Sequence, residues 1–307
     1  MSAASPIRIA TRASPLALWQ AHHVRDRLLA ADPARPVVLL EMSTRGDEIL
    51  DRSLSKVGGK GLFVKELEMA LLDGRADLAV HSLKDVPMVL GPEFCLAVVM
   101  ERADPHDCLV SGRYRSLAEL PAGARVGTSS LRREMTLRAR YPHLQIGSIR
   151  GNVGTRLAKL DRGDFDALVM AAAGLQRLGL AERIVQILPP EVFLPAPGQG
   201  ALGIETRAGD TAIARQLAHL EHAPTRAIVS AERAVSRGLG GSCEFPLAAY
   251  AQIAQERLTL RAWAGSARSG EMLEAQEEGP VAQAEDIGLR AVQSLKSRGV
   301  ERLIAGG

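Results

Sequence analysis

The sequence has few aromatic residues and few cysteines, and each shortage argues against a class of protein. Aromatic residues make up 3% of the 307 residues, which is little for the stacking surfaces that bind single-stranded nucleic acids. The three cysteines, Cys95, Cys108 and Cys243, are widely spaced and form no CxxC pair. Free thiols in a reducing compartment therefore fit better than a disulfide framework, and no Cys/His cluster has the spacing of a metal site.

Long apolar runs and a large net charge are also lacking. No uninterrupted apolar stretch is long enough to span a bilayer. Residues 1–6 lack the basic and apolar regions of a signal peptide. The 38 basic and 35 acidic residues nearly cancel, so the overall charge gives no reason to expect nucleic acid as a partner. We expect a soluble, cytoplasmic protein and, by default, a monomer.

Strands and helices alternate through the first two thirds of the sequence, which is typical of α/β folds with mostly parallel sheets. Ser14 followed by Pro15 predicts a helix start, because serine caps the first turn and proline fits its first position. We expect this helix to direct Leu18, Leu28 and Leu29 into the core. The neighbouring predicted elements are strands at 7–10 and 37–42 and a mobile loop at 43–61.

A helix–turn–strand pattern occurs twice. A predicted helix at 61–72 leads into a strand at 77–80, and a helix at 153–160 leads into a strand at 166–170. Each strand should run into a loop that carries a cation, Lys84 in the first copy and Arg177 in the second. Because ligands bind at the carboxyl ends of strands in open α/β sheets, the pattern predicts two similar lobes with binding sites at these ends.

Prolines and glycines at 189–190 and 195–200 break regular structure and suggest a crossing between domains. Beyond residue 220 a helix, three strands and a final helix at about 282–298 indicate a small α+β domain. The predicted domains are a first α/β lobe of residues 1–100 and 200–219, a second α/β lobe of 101–199, and an α+β domain of 220–307.

Two segments, Val126–Arg133 and Ile149–Arg156, combine a helix start with hydroxyl residues or glycines and with arginines. Helix starts offer free N–H groups and the positive end of the dipole, so both segments are typical of anion sites. Between Arg125 and Leu160 eight residues are basic and only Glu134 is acidic, which predicts a polyanionic ligand. A phosphate would suit these segments as well as a carboxylate, although no GxxxxGK[ST] or helix-opening GxGxxG motif is present.

Two residues are candidates for reactive chemistry. Asp85, beside Lys84 at a predicted strand end, could act as acid or base or stabilise a cation, although an isolated aspartate is more often an ordinary turn residue. Cys243 lies among glycines, where an accessible thiolate could attach a group covalently. Cys95 and Cys108 are expected to be buried hydrophobic residues.

Taken together, these segments resemble the porphobilinogen deaminase family. The matching segments run in order along the chain: 9–17 (IATRASPLA), 44–47 (TRGD), 58–66 (GGKGLFVKE), 79–87 (AVHSLKDVP), 127–133, 150–156, 197–200 (PGQG) and the Cys243 segment.

The resemblance implies a transferase that joins four porphobilinogen molecules head to tail, with loss of ammonia, and releases hydroxymethylbilane for tetrapyrrole biosynthesis. It implies a dipyrromethane cofactor, two linked pyrroles attached by a thioether to Cys243. It also implies three domains, the first two similar to the lobes of periplasmic binding proteins. The acetate and propionate arms of cofactor and substrate would account for the arginine-rich segments.

By the same resemblance, Asp85 is the catalytic carboxylate, which assists loss of ammonia and stabilises a cationic azafulvene-like intermediate. Glu244 departs from the family, in which a glutamine is frequent, and adds a carboxylate beside the tether. The implied cofactor-binding residues are Asp47, Ser82, Lys84, Thr128, Ser129, Ser130, Arg132, Arg133 and Gln199. The implied substrate-binding residues are Arg12, Ser14, Gln20, Lys56, Lys60, Phe63, Arg150, Gly151, Arg156 and Arg177.

Two other classes of protein are alternatives. A two-lobed receptor for a small anion would carry no covalent group on Cys243. A nucleic-acid-binding protein would use the basic stretch, and its binding would fall steeply with salt.

Overall fold

Three β-sheets flanked by helices make up the protein, for which a computed structural model describes residues 5–44, 64–241 and 245–305. The strands are β1 (Ile7–Arg12), β2 (Val37–Met42), β3 (Leu78–Ser82), β4 (Phe94–Val99), β5 (Asp107–Val110), β6 (Arg125–Gly127), β7 (Gln145–Gly147), β8 (Ala167–Ala171), β9 (Ile184–Leu188), β10 (Leu202–Arg207), β11 (Leu247–Ala254), β12 (Arg257–Gly265) and β13 (Met272–Pro280). The α-helices are α1 (Pro15–Ala31), α2 (Lys65–Leu72), α3 (Leu131–Arg140), α4 (Val153–Asp161), α5 (Ala172–Arg177), α6 (Thr211–Leu217), α7 (Ala223–Gly238), α8 (Ala284–Ser297) and α9 (Val300–Ala305).

The chain divides into two compact units. Unit 1 comprises Met1–Arg102 and Ala201–Arg226, and unit 2 comprises Ala103–Gly200 and Ala227–Gly307. The chain therefore passes from one unit to the other at the end of the proline- and glycine-rich segment 195–200. The division into three domains at the predicted boundaries stays a prediction.

Unit 1 contains a five-stranded sheet in the order β2-β1-β3-β10-β4. β1 runs parallel to β2 and to β3, whereas β10 runs antiparallel to β3 and β4. Helices α1 and α2 pack on opposite faces, because neighbouring strand residues such as Ile9 and Ala10 enter different core clusters.

Helix α1 has the predicted start but a different buried face. The Ser14 side chain accepts a hydrogen bond from the Ala17 N–H (3.4 Å), with proline next in the chain. Of the predicted core leucines only Leu28 is buried; Leu18 and Leu29 are only partly buried. The buried stripe follows the 3.6-residue period and uses small and polar residues as well: Ala17, Gln20, Ala21, Val24 and Leu28.

Unit 2 repeats this sheet plan. Its first sheet has the order β7-β6-β8-β5-β9, with β6 parallel to β7 and β8, and with β5 antiparallel to β8 and β9. The one reversed strand holds the fourth place in both sheets. The predicted repeat is confirmed, since α2 leads into β3 and α4 leads into β8, the third strand of each sheet.

Two details of the predicted repeat are wrong. The strands do not run into loops: β3 is followed by a 3₁₀ turn at Leu83–Asp85, closed by a hydrogen bond from the Val86 N–H to the Leu83 carbonyl (3.2 Å), and β8 by helix α5. Alanines with high helix propensity open α5, which explains the helix. Helix α2 begins at Lys65 rather than at residue 61, and residues 61–63 lie outside the described ranges.

The predicted α+β region is confirmed as an antiparallel meander, β11-β12-β13, in unit 2. Helices α7 and α8 cover it through a core that includes Ala231, Val235, Ile287 and Leu295. Trp263, which is fully buried, packs with Met135 of α3. Within the described ranges, no helix has the length and apolar character needed to cross a membrane.

Replacing Gly288 by alanine should lower the free energy of unfolding by about 1–3 kcal/mol. A Cβ at Gly288 of α8 would lie 2.7 Å from the Ala234 Cβ of α7, so the two helices would have to separate. Urea unfolding curves would measure the loss. Gly112→Ala is the matched control, because no atom lies within 4 Å of the added carbon; equal stability changes in the two variants would contradict the close helix contact.

Candidate functional site

Two helix starts lie side by side at one edge of the first sheet of unit 2. Strands β6 and β7 are parallel neighbours, and they lead into α3 and α4 respectively. Ser130 caps α3 by accepting from the Arg133 N–H (3.5 Å), and Asn152 caps α4 by accepting from the Thr155 N–H (2.9 Å). The remaining first-turn N–H groups and the positive dipole ends make this edge suited to anions.

The loops before the two helices are joined through Ser129. Its hydroxyl donates to the Ile149 carbonyl and accepts from the Ile149 N–H (3.1 Å). Thr128 Oγ1 accepts from the Ser130 N–H (3.2 Å). Gly151 has a φ of 109°, and a Cβ there would lie 2.6 Å from Thr155 Cγ2, so only glycine fits. These predicted ligand-binding residues thus also shape the loops that present the helix starts.

The two arginines of the first turn of α3 share one internal carboxylate, that of Asp107 at the start of β5. Arg132 Nη1 lies 2.5 Å from Asp107 Oδ2, and Arg133 Nη2 lies 2.8 Å from Oδ1. All three residues are buried, and Asp107 is 0% exposed. Burial alone would raise the pKa of Asp107, but the charges of both arginines outweigh it and hold the pKa well below its ordinary value.

Gln199 belongs to the same cluster. Its amide nitrogen donates to Asp107 Oδ1 (2.9 Å) and to the Pro105 carbonyl (2.7 Å). The preceding Gly198 N–H donates to the buried Glu232 carboxylate of α7 (2.7 Å). The segment 195–200 is therefore held by two carboxylates inside unit 2.

The other predicted arginines of unit 2 follow the same strand ends. Arg156 Nε donates to the Gly151 carbonyl (2.8 Å), and half-buried Arg150 precedes that glycine. Arg177 closes α5, which follows β8, and its Nη2 donates to the Gly200 carbonyl (2.7 Å). Burial lowers the pKa of Arg177 to about 10, so this side chain stays cationic near neutral pH.

The basic stretch between Arg125 and Leu160 is less uniformly positive in the structure than in the sequence. Acidic residues from outside it, Asp107 and Glu274, enter it to pair with arginines. Arg140 also stacks over Trp263 at 5.0 Å, and Arg138 pairs with Glu134 at 2.8 Å. Part of the cationic stretch therefore packs the C-terminal sheet against α3.

Unit 1 presents the remaining described residues of the predicted site near the carboxyl ends of β1 and β3. Arg12 ends β1, and Ser14 caps α1. The buried Gln20 donates to Ser82 Oγ at 2.7 Å and so ties α1 to the end of β3. The 3₁₀ turn that follows presents half-buried Lys84 and exposed Asp85.

A buried acid–base pair lies just before that turn and was missed from sequence. His81 Nε2 of β3 lies 2.8 Å from Glu205 Oε2 of β10, and Glu205 is 0% exposed. Burial raises the pKa of Glu68 on α2, and the charge of Glu205 raises it further. Glu68 and Glu205 lie in no recognisable sequence motif. The contact between His81 and Glu205 forms only because β10, which begins at residue 202, pairs with β3.

Several predicted residues lie outside the described ranges: Asp47, Lys56, Lys60, Phe63, the attachment residue Cys243 and its neighbour Glu244. Of the other cysteines, Cys108 is buried as expected, whereas Cys95 is only half-buried and lies 3.3 Å from Thr206 Oγ1. Among the described residues no cluster of three or more metal-ligating side chains occurs.

Comparison with known proteins decides the family. The family model for the dipyrromethane cofactor-binding domain of porphobilinogen deaminase matches residues 7–215, and the model for its C-terminal domain matches residues 227–297. The chain belongs to the porphobilinogen deaminase family. Members of this family are transferases, also called hydroxymethylbilane synthases. The first of the two matching family models describes the domain that binds their dipyrromethane cofactor.

Relatives named porphobilinogen deaminase match nearly the whole chain. The protein from Bordetella parapertussis is 60% identical over 99% of this chain and 97% of its own length. The protein from Nitrosomonas europaea is 53% identical over 99% of both chains.

Among solved structures, the methionine-binding protein MetQ matches with a TM-score of 0.46 and 14% identity over 70% of this chain and 89% of its own. The periplasmic aliphatic sulphonate-binding protein SsuA from Escherichia coli matches with a TM-score of 0.39 and 14% identity over 77% and 71%. Nothing about ligands or mechanism follows from these weak likenesses.

The unit 2 edge fits a porphobilinogen deaminase cofactor that carries several carboxylates. It offers two helix starts and several guanidinium groups. In addition, Arg132 Nε is buried and has no hydrogen-bond acceptor within the described ranges. A buried donor without a partner is costly, so an added carboxylate would be stabilising here.

Alkylation should separate Cys108 from the other thiols. Burial raises the pKa of Cys108 to about 12, so roughly one thiol in 10⁴ is ionised at pH 8, and only the thiolate reacts. We expect iodoacetamide at pH 8 to leave Cys108 unmodified in the native protein and to modify it in denaturant, as read by peptide mass spectrometry. Equal reactivity in both states would contradict the burial of this thiol.

Proposed function

We propose that this chain joins four porphobilinogen molecules head to tail, with loss of one ammonia at each addition, on a dipyrromethane attached to Cys243, and releases hydroxymethylbilane. The observation that carries the proposal is the unit 2 edge, where two helix starts and five arginines of the predicted site follow neighbouring strand ends. A chain of pyrroles bears carboxylates at every ring, and such an edge binds carboxylates. Charge alone does not distinguish a carboxylate ligand from a phosphate ligand at this edge, and membership of the family favours the carboxylate.

Within this proposal, unit 2 holds carboxylate arms. When bound, the dipyrromethane supplies the pyrrole carbon to which the first substrate is joined. The Ser129 and Ser130 loop directs first-turn N–H groups of α3, and Arg132 and Arg133 add charge beside them. Arginine suits this task, because its planar group grips a carboxylate by two parallel hydrogen bonds.

Unit 1 supplies the catalytic carboxylate. Asp85 is exposed on a short turn whose backbone is fixed at both ends, by the Leu83 N–H donating to the Ala201 carbonyl (3.0 Å) and by the Val86 N–H donating to Leu83. A fixed carboxylate stabilises positive charge that develops on a pyrrole ring as ammonia leaves. Lys84, next in the same turn, is placed to bind a carboxylate arm.

The finer parts of the proposal concern the surroundings. The partner is the small molecule porphobilinogen, without nucleic acid or membrane, and the enzyme works as a monomer. We place it in the cytoplasm, where reducing conditions keep Cys243 available as a thiol. Lys56, Lys60, Phe63 and Asp47 keep their predicted roles in this proposal.

The intact mass of the purified protein tests the cofactor directly. We expect a mass excess equal to two linked pyrroles in the wild type and none in Cys243→Ser, because the thioether needs the sulfur. The proteins should come from cells that make porphobilinogen. If the folded wild-type protein had the mass of the bare sequence, the result would contradict the covalent cofactor and favour the alternative of a two-lobed receptor for a small anion.

Replacing Asp85 by asparagine should lower kcat/KM for porphobilinogen at least about 10²-fold, because the amide keeps the shape but removes the charge that opposes the developing cation. Ammonia release would measure turnover, and intact mass would verify that the cofactor is still attached. Asp26→Asn is the matched control, since Asp26 pairs only with its neighbour Arg25 on the surface of α1 among the described contacts. Full activity in Asp85→Asn would contradict a catalytic role for this residue.

A further inference from the structure

Asp107 lies at the centre of three of the residues implied in cofactor binding. Its Oδ1 accepts from Arg133 Nε (3.2 Å) and Nη2 (2.8 Å), from Arg132 Nη2 (3.2 Å) and from Gln199 Nε2 (2.9 Å). Its Oδ2 accepts from Arg132 Nη1 (2.5 Å). No motif in the sequence marks this residue, and the proposed reaction does not use it.

We infer that Asp107 is a positioning residue for cofactor assembly, which holds Arg132, Arg133 and Gln199 in the arrangement that receives the cofactor carboxylates. The inference rests on the proposed function and deepens it. Asp107 is buried and acts on the cofactor only through the side chains that it holds, so it is not itself a catalytic residue.

The first argument is geometric. Adjacent residues in a helix point about 100° apart, so Arg132 and Arg133 would not converge without a shared acceptor. Asp107 supplies that acceptor, and backbone carbonyls complete the arrangement: Arg132 Nη1 also donates to Leu194 (2.7 Å), and Arg133 Nη1 donates to Val169 (3.0 Å). The guanidinium groups are therefore fixed before any ligand arrives, which lowers the entropic cost of binding.

The second argument concerns charge. Two guanidinium groups face one carboxylate, and within the described ranges no second carboxylate bonds to either arginine, so the buried cluster keeps one surplus positive charge. Arg132 Nε remains a buried donor without an acceptor there. A ligand carboxylate would satisfy both the charge and the donor. Asp107 thus leaves positive charge for binding while it offsets the repulsion between the two arginines.

The third argument is topological. Asp107 opens β5, the reversed strand, opposite Ala171 at the end of β8. It therefore lies at the same edge as the starts of α3 and α4, and it reaches Gln199 in the segment that ends at the crossing into unit 1. One carboxylate sets three chain segments relative to one another at the binding edge.

Asp107→Glu tests the inference, because it keeps the charge and moves the oxygens by one methylene. The full-length chain would be made without cofactor in cells that cannot make porphobilinogen, then incubated with porphobilinogen while intact mass follows loading. We expect the half-saturating porphobilinogen concentration of loading to rise at least about tenfold, the scale for a misplaced charged contact. A purely structural role would reduce the amount of folded protein and leave this concentration unchanged, and that result would overturn the inference.

Asp107→Asn gives the second arm, because it raises the positive charge of the cluster but removes the shared acceptor. Slower or incomplete loading supports the positioning role, whereas loading at lower porphobilinogen concentration than the wild type would mean that Asp107 only weakens anion binding, and would overturn it. Should Asp107→Asn not fold, the Asp107→Glu result decides alone.

The matched control is Asp166→Asn. Asp166 also lies in unit 2 and accepts from a backbone N–H, that of Arg125 (2.8 Å), but it contacts none of the cofactor residues among the described hydrogen bonds. It should load as the wild type does. Absence of any added mass in the wild type would contradict the proposed function itself, whereas a loaded wild type with normally loading Asp107 variants would contradict only this inference.

Discussion

The sharing of one buried carboxylate by two adjacent arginines is the interaction on which the predicted binding edge of unit 2 depends. Removing two guanidinium groups from water is costly, and only a well-placed counter-charge with further hydrogen bonds offsets the cost. Asp107 supplies the charge, and the carbonyls of Leu194 and Val169 supply the further acceptors. The first turn of α3 can therefore carry cationic side chains inward, where water competes little for them.

The same arrangement of strands places residues of the predicted site in both units. In each sheet the third strand follows a helix–turn segment and ends in a short helical turn, at Leu83–Asp85 in unit 1 and at α5 in unit 2. Parallel strands bring their carboxyl ends to one edge, so residues distant in sequence meet there. Under the proposed function, Asp85 in the turn after β3 and Arg177 at the end of α5 therefore follow corresponding strands in two copies of one plan.

Periodicity and capping predicted most elements, because Ser14-Pro15, the two helix–turn–strand segments and the C-terminal alternation are local signals. The two segments with helix starts were also predictable, and the family followed from the order of these and the other matching segments along the chain. Asp107, Glu205 and Glu232 were not, because each is an acid in an unremarkable context whose partner comes from a distant part of the chain. Leu18 and Leu29 were assigned to the core on hydrophobicity, whereas packing of α1 selected small residues and Gln20.

The place of β10 in the unit 1 sheet has a consequence for how the chain folds as it is made. β10 (Leu202–Arg207) lies between β3 and β4, yet the whole of residues 103–200 is translated before it. Until β10 has been translated, β3 and β4 each lack one neighbouring strand of the sheet, and His81 lacks its partner Glu205. The first sheet of unit 2 has all its strands within that intervening stretch, so on the ribosome it can be completed before the unit that begins the chain.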